Sequence, residues 1–93
     1  MNIKQFIVNG DTVYVFTESP ETDIIKLQEV YENETEEAPF PLGYEKPMLA
    51  EYEFLGNKHK CISLWFDNED IPDVFFNPVP PRRLIINTVS TTV

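Results

Sequence analysis

Two residues of this chain could begin a reactive site. His59 and Cys61 stand two apart in the run Lys58-His-Lys-Cys-Ile-Ser-Leu-Trp-Phe66. On an extended strand, residues i and i+2 share a face, so an imidazole and a thiol lie side by side there. Such a pair suits the start of a zinc site or a thiolate activated by a base. The chain has one His and one Cys, so a zinc ion would need carboxylates to complete its shell. No third group stands out to orient the imidazole. A half-buried His beside a packed Cys is the simpler reading. One Cys also excludes an intrachain disulfide and agrees with a reducing compartment.

The segment Asp67-Asn-Glu-Asp-Ile-Pro-Asp73 imitates a calcium loop in composition alone. An EF-hand needs Asp or Asn at its fifth place and Gly at its sixth, where Ile71 and Pro72 stand. A solvated turn accounts for it better. There is no Gly-rich phosphate loop and no nucleophile elbow. The chain therefore reads as non-enzymatic, with no cofactor and no metal.

Charge is the largest departure from an average domain, at a formal −9 over 93 residues. Binding phosphate needs Lys and Arg, so direct contact with nucleic acid or an anionic membrane is disfavoured. Attraction to basic surfaces is favoured. Between Glu18 and Glu37 stand eight acids and one base, Lys26; between Asp67 and Asp73 stand four acids and no base. Arg82-Arg83 and Lys58-His-Lys60 are the basic clusters, read as compensation for these loops. Strand residues two apart are separated by about 6.8 Å, twice the roughly 3.4 Å axial step between phosphates of one DNA strand. Glu51 and Glu53 have this spacing, and Glu29 and Glu32 on a helix have similar reach.

The elements that must position these groups read as follows. Hydrophobic residues make up 42% of the chain and aromatics 13%, enough for one modest core over residues 1–93 and unlike a disordered acidic tail. Ile3–Val8 and Thr12–Thr17 flank Asn9-Gly10-Asp11, a strong hairpin signal. Loops Asn9-Gly10 and Gly10-Asp11 both fit, the second giving the better apolar pairs (Val8–Val13, Ile7–Tyr14, Phe6–Val15). Ser19-Pro20 opens a helix over 20–32, Ser as N-cap and Pro at the first position. Ile24, Leu27, Val30 and Tyr31 fall on one face and Ile25 off it; a strand over 24–31 is the alternative. Asn33–Pro47 is a long connection that Phe40, Leu42 and Tyr44 pin to the body.

A second hairpin spans Met48–Phe66. With Gly56-Asn57 as its turn, Leu55 faces Lys58, Phe54 faces His59, Glu53 faces Lys60 and Tyr52 faces Cys61. Met48, Ala50, Tyr52 and Phe54 with His59, Cys61, Ser63 and Trp65 then form the core face. The other face is charged near the turn and apolar at its far end, which requires cover from a helix, a strand or a partner subunit. Val74–Pro81 is an extended apolar segment and Arg82–Val89 a last strand. The fold class is α+β: an antiparallel sheet of about five strands, built from two hairpins plus a C-terminal strand, with one short helix. No long apolar run follows the N-terminal residues, so no signal peptide and no membrane span is expected, and the location is cytoplasmic.

On the acidic stretch Glu18–Glu37 and the cluster Asp67–Asp73, set on an aromatic-rich scaffold, the chain resembles the small acidic proteins with which bacteriophages disable host nucleic-acid-binding proteins. These are DNA mimics, among them inhibitors of the nucleoid protein HU. The resemblance implies an inhibitor without catalysis whose carboxylates sit on the DNA-binding surface of a basic host protein such as HU, in the host cytoplasm. The contacts expected are Glu29, Glu32, Glu34, Glu36, Glu37, Asp67, Glu69, Asp70 and Asp73. It also implies a homodimer, with the apolar end of the second hairpin face as its interface. The alternative is a structural or accessory subunit that binds through Val74–Pro81 or an exposed sheet edge.

Overall fold

A computed structural model describes residues 1–34 and 38–76. It is a two-layer α+β structure. Strands β1 (Ile3–Asn9), β2 (Thr12–Thr17), β3 (Met48–Phe54) and β4 (Asn57–Trp65) form one antiparallel sheet in the order β1-β2-β4-β3, and helix α1 (Pro20–Asn33) covers one side. Two 3-10 turns follow, Asn68–Asp70 and Asp73–Phe76. The sheet has four strands rather than five among the described residues. The expected strand Arg82–Val89 lies outside them, as do Glu36 and Glu37.

The first hairpin settles on Gly10-Asp11 as its loop. Val8 pairs with Val13, Ile7 with Tyr14 and Phe6 with Val15. Gly10 takes φ +65°, which costs a glycine little and most other residues more.

The second hairpin corrects the sequence reading. Its turn is Leu55-Gly56, not Gly56-Asn57, and both residues have positive φ, +52° and +82°, as a type I′ turn requires. Phe54 therefore pairs with Asn57, Glu53 with Lys58, Tyr52 with His59, Glu51 with Lys60 and Ala50 with Cys61. The gain is electrostatic. The expected register set one glutamate against one lysine, whereas this one sets two pairs directly across, each contributing about 0.2–1 kcal/mol. Moving the loop by one residue moves each partner by two, so the membership of the two faces is unchanged.

Which face is core does change. Ile62 and Leu64, with Val13 and Val15, are buried on the side that α1 covers, and Phe66 joins the same core. The face holding Tyr52, Phe54, His59, Ser63 and Trp65, expected to be core, is left open, and on it Cys61 alone is fully buried. The covered face has the branched aliphatic side chains that pack flat against a helix. The open face has the large rings.

Helix α1 supplies the second layer as its pattern demands. Ile24, Leu27 and Val30 are buried and Ile25 is 60% exposed. Each fully buried aliphatic side chain contributes about 1.5–3 kcal/mol. Ser19 occupies the N-cap with Pro20 following, but its side chain makes no cap bond. Its carbonyl instead accepts the N–H groups of Thr22 and Asp23, and the Ser19 N–H donates to Thr17 Oγ1 at 3.2 Å. Beyond the reach of the helix, four phenylalanines close the core. Phe75 meets the rings of Phe6, Phe66 and Phe40 at centroid separations of 5.0, 5.5 and 6.1 Å.

Leu55 holds a left-handed conformation with 85% of its surface exposed. That conformation costs an ordinary L-residue about 1–2 kcal/mol. Leu55→Asn, which restores the Asn-Gly pair that type I′ turns prefer, should raise the urea unfolding midpoint at unchanged slope, by about 1 kcal/mol in stability. No gain would mean that the Leu55 side chain stabilises the folded chain through a contact of its own.

Candidate functional site

Two surfaces stand out, and they meet at Trp65. The first is an acidic rim around Tyr44. Gly43 at φ +92° turns the connection between α1 and β3 inward, and the Tyr44 N–H donates to the Trp65 carbonyl at 2.9 Å. A Cβ on Gly43 would collide with that same carbonyl oxygen. The Tyr44 ring packs edge-on against Trp65 and Phe66. Its hydroxyl donates to Asp70 Oδ2 at 2.8 Å, and its carbonyl accepts the Tyr31 hydroxyl at 3.3 Å. Two residues on, Lys46 pairs with Glu32 at 3.0 Å. The last turn of α1 and the turn at Asp67–Asp70 are thus brought to one loop. The hydrogen bond to Asp70 holds the Tyr44 phenol above its ordinary value, helped by desolvation and by the charges of Asp70 and Asp67.

Of the expected contact residues, Glu29, Glu32, Glu34, Asp67, Glu69, Asp70 and Asp73 are all exposed. The Tyr44 network gathers Glu32, Asp67 and Asp70. Glu29 and Glu34 flank Glu32 on the helix, and Glu69 adjoins Asp70. Asp73 begins the second 3-10 turn, whose Phe75 enters the core beside β1. The row Glu51–Glu53 is not a free carboxylate ladder, because each faces a lysine across the strand. Lys60 also holds Glu21 at 2.9 Å. That hydrogen bond and then the Glu21 charge set the Lys60 amine above its ordinary value. Lys46 escaped the sequence reading, and Tyr31 entered it only as part of the apolar helix face. Their partners are a backbone carbonyl and a helix residue more than ten positions away, which local periodicity does not reveal.

The helix end is unusual. Glu29, Glu32 and Glu34 lie at or near the negative end of the α1 dipole, and the last turn has no basic residue. Glu34 itself caps the helix in the left-handed region at φ +52°, its N–H donating to the Val30 carbonyl at 2.9 Å.

The second surface is the open sheet face. None of its strand positions carries a carboxylate. Tyr52 lies at its centre, with ring centroids 4.9 Å from Tyr14 and 5.8 Å from Phe16. Phe54 and Met48 are each 56% exposed and Trp65 is 40% exposed. A shallow cavity of about 290 Å³ opens among Ile7, Phe16, Tyr52, Phe54 and His59, with Lys4 at its rim. His59 and Cys61 share this face, but as unlike neighbours. His59 is exposed, while Cys61 is wholly buried and its thiol approaches the Ala50 carbonyl at 3.7 Å. Burial pushes that thiol up to about 11. Among the described residues no group of three or more His, Cys, Asp or Glu side chains could hold a metal ion. Nor is any helix there long and apolar enough to cross a membrane.

Of the residues at the apolar end expected to provide a dimer contact, Ile62, Leu64 and Phe66 are in the core, while Leu49 is exposed. Val74 and Phe76 are exposed, and the remainder of the apolar segment, 77–81, lies outside the described residues. No protein-family model, curated protein or solved structure matches the chain.

Two predictions follow from this geometry. Gly43→Ala should destabilise the fold by about 1–3 kcal/mol, through both the forced φ and the clash at Trp65, read as a lowered thermal midpoint. For Cys61, the folded state holds the thiol proton more tightly than the unfolded chain. Its contribution is therefore complete below the ordinary thiol value, about 8.5, and is lost as pH rises toward 11. Stability should fall across that window, and fall less in Cys61→Ala. An equal fall in both proteins would assign the loss to other groups.

Proposed function

We infer that this protein is a non-enzymatic acidic inhibitor that docks on the DNA-binding surface of a basic host protein, its carboxylates standing in for phosphates. The observation that carries this reading is the charge at the end of α1. Acids at a helix C-terminus oppose the dipole, each at a cost of roughly 0.3–1 kcal/mol when exposed, and a left-handed Glu at the cap costs more than Gly would. Solubility alone could be served by carboxylates at the helix N-terminus or on loops at no such cost. A placement that opposes stability is expected where function, not folding, selects the residue.

Glu29, Glu32 and Glu34, with Asp67, Glu69 and Asp70 across Tyr44, form the docking rim, and Glu36 and Glu37 extend it in sequence. The partner is a DNA-binding protein with a basic cleft, for which the nucleoid protein HU has the right chemistry. The complex forms fast and weakens with salt. The likeness in character to phage DNA mimics supports the same reading.

The test is capture from a bacterial lysate by the tagged protein, washed at low and at high salt. A basic DNA-binding protein should be retained and then released by salt or by added DNA. Reversing Glu36 and Glu37 to Lys should weaken the complex at least tenfold and flatten its salt dependence. A salt-resistant partner that binds no nucleic acid would overturn the reading in favour of an accessory subunit. Glu34→Gly offers a second check, since it should raise stability by about 1 kcal/mol while weakening capture. A variant that is stabilised and captures equally well would remove Glu34 from the contact.

A further inference from the structure

We propose that the open sheet face is a homodimer interface, with two copies packed face to face and each Trp65 seated over the cavity of its partner. The inference does not rest on the inhibitor reading.

The first argument is electrostatic. A chain of formal charge −9 repels its own copy. The repulsion is least where carboxylates are absent from the contact and farthest behind it. The strand positions of the open face, from Gln5 and Ile7 through Tyr14 and Phe16 to Tyr52 and Trp65, include no acid. The helix and its carboxylates occupy the other layer, and at its Trp65 end the face borders the Tyr44–Asp70 pair. Other occupants fit worse. Stacked bases need a positively charged groove beside the rings, and here the cavity has one lysine, Lys4, at its rim. An anionic membrane would be repelled by the body of the chain.

The second argument is shape. The cavity lies at the His59 end of β4 and Trp65 at the opposite end. Six residues separate them, about 20 Å along the strand. A two-fold axis lying between the sheets and running across the strands exchanges the ends. It therefore places each Trp65 over the other copy's cavity, an isologous contact in which one patch is its own complement. Phe54 and Met48, each 56% exposed, lie on the same face and are covered as well. Sheets packed this way stand about 10 Å apart.

Size sets the expected strength. Four strands span about 19 Å and β4 about 20 Å between the two sites, a footprint well under the roughly 800 Å² per partner of a standard interface. The dimer is accordingly weak and transient.

Trp65 is the sole tryptophan, so it reports directly on this face. The full chain is followed by sedimentation velocity and by tryptophan emission from low to high micromolar concentration. Mass should double and emission shift to the blue with one common midpoint. Phe54→Lys, on the open face, should raise the dissociation constant at least tenfold. Ile25→Lys, on the outer face of α1, makes the same charge change and should leave it unaltered. Monomer mass throughout would overturn the proposal. So would blue emission at monomer mass, which would mean that the chain's own residues 77–93 cover the face. A dimer dissolved by Ile25→Lys and untouched by Phe54→Lys would overturn it too, by placing the contact on the helix side.

Discussion

The structure depends on one apolar contact: the stripe Ile24, Leu27 and Val30 of α1 laid across Val13, Val15, Ile62 and Leu64. Among the described residues this contact forms the layer between helix and sheet, and the other features are arranged around it. The helix is 14 residues long, about 21 Å, and cannot reach both ends of the sheet. The phenylalanine cluster fills the end it leaves, which is why the turns after β4 fold back beside β1. A single helix can also cover only one face. Among the described residues no helix covers the other face, and its rings are half-exposed.

Much of this was legible in the residues. Asn9-Gly10-Asp11 marked the first hairpin, and the quality of its apolar pairs favoured the loop that forms. The Ser-Pro start and the spacing of Ile24, Leu27 and Val30 marked the helix, and Ile25, the residue that broke the pattern, is the one that faces solvent. The second hairpin misled because its turn begins with Leu55, a residue that turn statistics argue against. The decisive clue lay elsewhere, in two glutamates and two lysines that this register pairs one to one. Choosing the covered face required knowing what the helix would select. Both faces of that hairpin are rich in apolar residues, and volume and branching decide between them only once a partner layer is known.

The candidate site was legible in kind and illegible in assembly. That the acids fall in two stretches is plain from the sequence. That Tyr44 draws one residue from each toward itself depends on Gly43, on a backbone carbonyl at the end of β4 and on a tyrosine hydroxyl 13 positions away. None of these has a periodic signature. Exposed ion pairs such as Lys46–Glu32 contribute at most about 1 kcal/mol, so the glycine and the ring packing, not the charges, locate the loop.

The bond from the Tyr44 amide to the Trp65 carbonyl has a consequence for solubility. Strand β4 runs two residues past Ser63, where its pairing with the start of β3 ends, and on that side the Trp65 carbonyl would otherwise face outward unpaired. An unpaired backbone group at a sheet margin is a template for another chain's strand. The connection between helix and sheet supplies the missing donor, and Pro47, just before β3, is buried with its carbonyl accepting from Gln28 Nε2 at 2.9 Å. The segment that positions the acidic rim therefore also closes one corner of the sheet to strand-by-strand aggregation.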